Sequence, residues 1–302
     1  MIAPGTWTDK SLRHQAKHLA DAVVFNNGFI CASPKVCIVA EGWEHKDKFL
    51  GYLQEELKKR PSKPGYYKVK NFNFGKFNFL FLIPLSRFLQ GAHFRHQTFI
   101  NKYKDQAILI RPDNFEDDHL EWVLLPNVKP APGEYAFVTE SFSPLLAVME
   151  LEGGKDTLSF LDKVAPFCNE RLWGSLSCTL LIPDEEVAAH SKQLDECIDK
   201  LGYGTVGVNI WASISYGRGV WGAFPGTGKP EDIQSGVDYV FNPYNIENLS
   251  KTVARAPLVG DAQGVKDLGR SQLKVMSRLA RYSVSPSTWL FSKVVSGAIS
   301  GL

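Results

Sequence analysis

The sequence predicts an α/β fold built on a largely parallel sheet. Short apolar runs of strand length alternate with longer segments whose apolar residues recur every three or four positions. The 302 residues, 44% hydrophobic and 22% charged, suffice to bury a self-sufficient core in one large domain or two ordinary ones.

Leu12 to Asn26 reads as a helix, with Leu12, Ala16, Leu19, Ala20 and Val23 at helical spacing and Thr8 or Asp9 as its cap. Asn26-Asn27-Gly28 stops it, because Asn and Gly tolerate the left-handed conformation of a helix end. Val36 to Ala40 is an apolar run and predicts a buried strand. His45 to Lys59 predicts a second helix, ended by Arg60-Pro61 and the turn-rich Ser62-Lys63-Pro64-Gly65. Ala107 to Ile110, Trp122 to Leu125, Tyr135 to Thr139, Leu145 to Leu151, Ser177 to Ile182 and Thr205 to Asn209 predict strands. Asp156 to Cys168 and Asp184 to Leu201 predict helices; acidic residues at the start of the latter suit the helix dipole, and Gly202 closes it. Trp211 to Gly236, rich in Gly, Ser and Pro, predicts a long functional loop. Ser271 to Tyr282 predicts a helix, and a final apolar segment, Trp289 to Leu302, follows Pro286.

The charge balance is 34 basic against 32 acidic residues, +2 in all. That argues against a nucleic-acid binder held by phosphate contacts. The cysteines, Cys31, Cys37, Cys168, Cys178 and Cys197, are odd in number and lack a C-x-x-C pair. Reduced thiols in a cytoplasmic setting are therefore expected, rather than a disulfide framework or structural zinc. Met1 to Lys10 has no signal-peptide pattern, and no apolar run reaches the ~18 residues of a membrane span.

Phe25-Asn-Asn-Gly-Phe-Ile-Cys-Ala-Ser-Pro-Lys35 places a cysteine after a glycine turn and before a strand. A lone Cys in that position is most often a small core residue. Its neighbours point elsewhere. Asn26-Asn27-Gly28-Phe29-Ile30-Cys31 resembles the N-x-G-Q-x-C segment around the nucleophilic cysteine of aldehyde dehydrogenases, with Phe29 in place of Gln and Lys35 one position before the usual arginine. Glu140-Ser-Phe142-Ser-Pro144 is similar to the family's E-x-F-G-P segment, with Ser143 for Gly. Leu172-Trp173-Gly174, Gly207-Val208-Asn209, and Trp221-Gly222-Ala223-Phe224-Pro225-Gly226 with Asp232 to Gly236 resemble further family segments in the same order. The match runs over most of residues 3 to 258 and is closest to a less-studied branch.

This resemblance implies a parallel-sheet catalytic domain over 1–244 and an oligomerisation-arm strand over 245–258; the residue pattern beyond it predicts a helical tail over 259–302. It implies NAD(P)-dependent oxidation of an aldehyde to a carboxylic acid. Cys31 would be the nucleophile; Glu140 and Phe142 would bind NAD or NADP. It also implies a homo-oligomer. A thiolate adds to the carbonyl, backbone N–H groups steady the oxyanion, and hydride loss leaves a thioester that water hydrolyses. The family's general-base E-L-G-G segment and its N-terminal Rossmann-like cofactor domain are expected to be missing here; Met1-Ile-Ala-Pro-Gly resembles the stretch just after that segment. The alternative is a non-catalytic remnant acting in subunit or partner association.

No G-x-G-x-x-G follows a strand; Gly217-Arg-Gly219 and Gly226-Thr-Gly-Lys229 lack the strand and helix of a phosphate cradle. Residues 69–90 interrupt a segment that is continuous in this branch. Alternating Phe72, Phe74, Phe77, Phe79 and Phe81 predict an edge strand or hairpin. A retained intron is the sharper expectation, since Val codons begin with GT and a Gln codon can end in AG. His14, His18, His93 and His96 read as solvated surface histidines rather than metal ligands, and Lys58-Lys59-Arg60 as a solvated helix end. In the tail, Lys274, Arg278 and Arg281 flank an apolar stripe. This suits a helix packed on its own domain or weak contact with a membrane surface.

Overall fold

The structure is a computed structural model that describes residues 1–64, 91–217, 221–224, 231, 233–236, 239–240, 246–260 and 270–300. The 69–90 insertion, Gly226-Thr-Gly-Lys229 and most of 237–245 lie outside the described residues.

In chain order the elements are α1 (Asp9–Val24), β1 (Val36–Ala40), α2 (Lys46–Lys58), α3 (Ala92–Lys102), β2 (Ile108–Ile110), β3 (Trp122–Leu125), α4 (Tyr135–Val138), β4 (Leu145–Leu151), α5 (Thr157–Arg171) and β5 (Ser177–Leu180). There follow α6 (Asp184–Ala189), α7 (Ser191–Lys200), β6 (Thr205–Val208), β7 (Trp221–Gly222), β8 (Tyr239–Val240), β9 (Thr252–Arg255), α8 (Arg270–Val284) and α9 (Thr288–Ser300). Thr8 caps α1 by accepting from Ser11 N, and Asp156 caps α5 in the same way through Ser159.

One sheet has the order β1-β4-β3-β2 and another the order β5-β6-β9. Only β2 runs antiparallel to its neighbour among these strands. Met1 to Ala3 joins the two sheets. Ile2 bridges Val39 on one side and Leu181 on the other, both in parallel sense. Ile2 N donates to Ile38 O at 2.7 Å and Ala3 N to Leu181 O at 2.9 Å. Successive strand residues point to opposite faces, yet all four residues of β3 and of β6 are buried. Both faces of the sheet are therefore covered, as in a parallel α/β core. Trp122, Phe49, Phe99 and Phe160 are the largest fully buried side chains.

Four expectations need correction. Tyr135 to Thr139 is not a strand: Tyr135–Val138 is a helical turn. Ala136 N at its start donates to Tyr103 Oη at 2.9 Å and Glu134 Oε1 at 3.3 Å, which supplies the capping that an apolar pattern cannot reveal. Asp184 to Leu201 is two helices, broken at His190 (φ −126°, ψ 31°). The histidines are not all solvated. His14 and His18 are half-buried, with rings 4.4 Å apart, and burial lowers His18 to about 4. His96 is buried with neither ring nitrogen bonded among the described residues. Arg60, too, is more than a solvated end: it pairs with Asp21 at 2.7 Å and Glu56 at 2.6 Å, with 14% of its side chain exposed.

The chain divides into units 1–262 and 263–302. The described residues of the second are α8 and α9, which fold back on each other: the Tyr282 and Phe291 rings lie 5.7 Å apart, and Arg278 Nη1 donates to Lys293 O at 3.1 Å.

Candidate active site

The turn after α1 is left-handed at three consecutive residues, Asn26 (φ 50°), Asn27 (φ 58°) and Gly28 (φ 75°). Asn and Gly are the residues that adopt this conformation at least cost. Asn26 Nδ2 donates to Phe29 O at 2.9 Å, and Asn27 Nδ2 to Lys63 O at 3.1 Å. Gly28 also has a steric role. A Cβ there would sit 2.6 Å from Pro144 N and 2.8 Å from Ser143 C. The Asn-Asn-Gly turn and the Glu140-to-Pro144 loop thus meet backbone to backbone.

Lys35 ties the same two loops. Its Nζ donates to Gly28 O at 3.0 Å and to Ser143 O at 2.9 Å. Burial lowers its ammonium to about 8, against the opposing pull of Glu140. Trp211 adds a third tie, with Nε1 donating to Ala32 O at 3.0 Å and its ring 5.5 Å from Phe25.

Cys31 sits exposed at the end of this turn, whereas Cys37, Cys168 and Cys197 are buried; all five thiols are free. Cys31, Lys35 and Glu140 line one cavity of about 360 Å³, together with Thr139, Trp173 and Ser235. Desolvation pushes the Cys31 thiol up, and the Glu140 carboxylate adds to this; the N–H groups of Cys31 and Ala32 pull the other way. Desolvation likewise holds Glu140 above the ordinary carboxylate range, opposed by Lys35 and Arg95.

Phe142 does not line that cavity. It adopts φ 39° and packs beside Phe29, with centroids 6.2 Å apart. The Arg95 guanidinium lies 6.0 Å from its ring centre. Arg95 also donates to Ser141 O and Phe142 O, both at 3.4 Å. Sequence reasoning missed Arg95 and Trp211 as parts of this site. Each acts through a contact distant in sequence, and only the aromatic and basic character of these residues hinted at it.

The far wall of the cavity is held by paired loops. Gly174 N donates to Gln234 Oε1 at 2.9 Å and Ser175 N to Ser235 Oγ at 2.8 Å. Asn209, buried and at φ 57°, accepts from Ile182 N and donates to Ile182 O, both at 2.8 Å. Glu116, Asp118 and His119 bring ligand-type atoms within 4.8 Å of one another. His119 Nδ1 is bonded to Ser62 Oγ at 2.8 Å, and both carboxylates are exposed, an arrangement common without an ion. No described helix is long and apolar enough to cross a membrane.

No family model matches the chain, and no curated protein does. Solved structures do. A salicylaldehyde dehydrogenase from Pseudomonas putida, complexed with salicylaldehyde, superposes with a TM-score of 0.50 at 16% identity, over 76% of this chain and 41% of that one. An indole-3-acetaldehyde dehydrogenase with NAD+ gives 0.46 at 19% identity, over 68% and 37%. An NADP-dependent glyceraldehyde-3-phosphate dehydrogenase from Bacillus halodurans, with NADP, gives 0.45 at 14%, over 68% and 37%. The chain thus has part of the aldehyde dehydrogenase fold, and spans about two fifths of the length of the structures it matches.

Proposed function

We propose that this chain carries the thiol half of an aldehyde-oxidising site. The observation that carries the reading is that Cys31 and Glu140, from two loops pressed together at Gly28 and Pro144, line one cavity. Cys31 is the nucleophile. Its sulfur bonds to the carbonyl carbon of an aldehyde as the thiol proton is released, and the oxyanion is steadied by backbone N–H groups of the turn. Once the aldehyde hydrogen has left as hydride to the acceptor that a nicotinamide cofactor would supply, water cleaves the resulting acyl–sulfur bond, freeing the carboxylic acid and restoring the thiol.

Of the two residues that the resemblance assigns to NAD or NADP, Glu140 fits: it is an acceptor at the cavity, suited to a ribose diol. Phe142 stands on the same loop but packs against Phe29 outside the cavity. When bound, that cofactor supplies the hydride acceptor. Desolvation and Glu140 both hold the thiol protonated, so binding that screens the Glu140 charge favours the thiolate.

The test is turnover by the purified chain with an aromatic or aliphatic aldehyde and either cofactor, with Cys31→Ser as control. NAD(P)H formation that disappears in the variant supports the reading. Equal rates in both refute it.

A second reading is association without catalysis. β9 lies at the end of its sheet, paired with β6 alone among the described strands, and its burial alternates half-buried and exposed. Such an edge can pair with a second copy or another subunit. Light scattering that shows a monomer would count against it.

A further inference from the structure

The aldehyde reading leaves residues 263–302 without a role, and their chemistry points elsewhere. Between Arg270 and Ser300 stand Arg270, Lys274, Arg278, Arg281 and Lys293, with no Asp or Glu, although the whole chain carries only +2. Arg270, Lys274, Arg278 and Arg281 are spaced four, four and three apart, which places those positions on one face of α8.

The two helices close on each other at Tyr282 and Phe291, yet they leave large apolar side chains in water. Val284 is 87% exposed, Trp289 63% and Phe291 54%, with Leu279 and Val295 also exposed. Lys293 Nζ lies 3.7 Å from the centre of the Trp289 ring. An aromatic ring with an ammonium over it is the pairing favoured at a membrane–water boundary, where the ring enters the lipid and the charge stays with the headgroups.

We infer that α8 and α9 form a docking surface for an anionic phospholipid bilayer, lying in its interface. The occupant follows from charge and shape together. The unopposed positive charge selects an anionic surface, and the exposed aromatic and aliphatic groups need an apolar phase beneath that charge. Nucleic acid would satisfy only the first requirement. α9 has 13 residues, short of the roughly 20 that span a bilayer, so the helix lies along the surface.

The experiment is co-sedimentation of the full chain with vesicles of phosphatidylcholine, alone or mixed with phosphatidylserine. The chain is expected to pellet with the mixed vesicles only, and to be released as salt is raised. Arg278→Glu with Arg281→Glu, and separately Trp289→Ser with Phe291→Ser, are each expected to weaken binding about tenfold or more. Circular dichroism verifies that each variant is folded. Wild-type salt dependence gives a readout that needs no variant. Any of four results overturns the inference: no pelleting, equal pelleting with both vesicles, binding unchanged in both variants, or preference for duplex DNA over vesicles at the same salt. Aldehyde turnover measured without vesicles is independent of all four.

Discussion

Gly28 lies against Pro144 so closely that a Cβ on the glycine would come within 2.6 Å of the proline nitrogen. Two constraints coincide there, a left-handed φ of 75° and backbone contact with another loop. Gly28→Ala is expected to destabilise the chain by about 3 kcal/mol, adding conformational strain to overpacking. Gly42 shares the left-handed φ but has nothing within 4 Å of its Cβ position. Gly42→Ala should cost only about 1 kcal/mol. Urea midpoints of the two variants would separate the contact from the dihedral; equal losses would refute the close approach.

Cys31 is expected to be the first thiol alkylated, because Cys37, Cys168 and Cys197 are buried and Cys178 is only half-exposed. Its rate should climb late in a pH series, since the thiol is held up by desolvation and by Glu140. Glu140→Gln removes a negative neighbour and should move the profile to lower pH. Peptide mapping after brief iodoacetamide treatment reads both effects. Labelling of Cys168 ahead of Cys31 would contradict the geometry.

His96 makes stability depend on pH. Burial, with a smaller contribution from His93, lowers it to about 4. In the unfolded chain it titrates near 6.5, so between those values the unfolded state binds more protons. Stability is therefore expected to fall as pH drops from about 6.5 to about 4, by about 3 kcal/mol at most. His96→Phe should flatten that limb of the stability curve. An unchanged slope would show that the ring is charged or bonded in the folded chain.

Asn209 fills both hydrogen-bonding groups of Ile182. Asn209→Ala strands a buried N–H and C=O and replaces a side chain that tolerates φ 57° with one that does not. The expected loss is about 3 kcal/mol. Asn209→Gly relieves the dihedral but not the orphaned groups and should lose about 2 kcal/mol. Calorimetry on the pair tests the split.

Much of this was legible in the sequence because it is local. The runs Val36 to Ala40 and Leu145 to Leu151 are apolar at nearly every position, as strands covered on both faces must be, and both are strands. The Asn-Asn-Gly turn was readable from the left-handed tolerance of its residues, and Cys31 from its place beside them. Tyr135–Val138 misled because its apolar residues fit either element, and the deciding cap comes from Tyr103. Burial of His96 and the reach of Arg95 and Trp211 depend on chain brought in from elsewhere. The bridging of two sheets by Ile2 leaves no periodic trace, since a single residue has no period.

That bridge also sets a schedule for synthesis. Ala3 N bonds Leu181 O, so the earliest part of the sheet stays open until residue 181 has left the ribosome. At about 10 residues per second the wait is roughly twenty seconds. Throughout it, the side of Ile2 and Ala3 that faces away from β1 is without the partner that Leu181 provides. A trigger-type chaperone, or a slow codon placed past position 181, would act on that interval rather than on the finished fold.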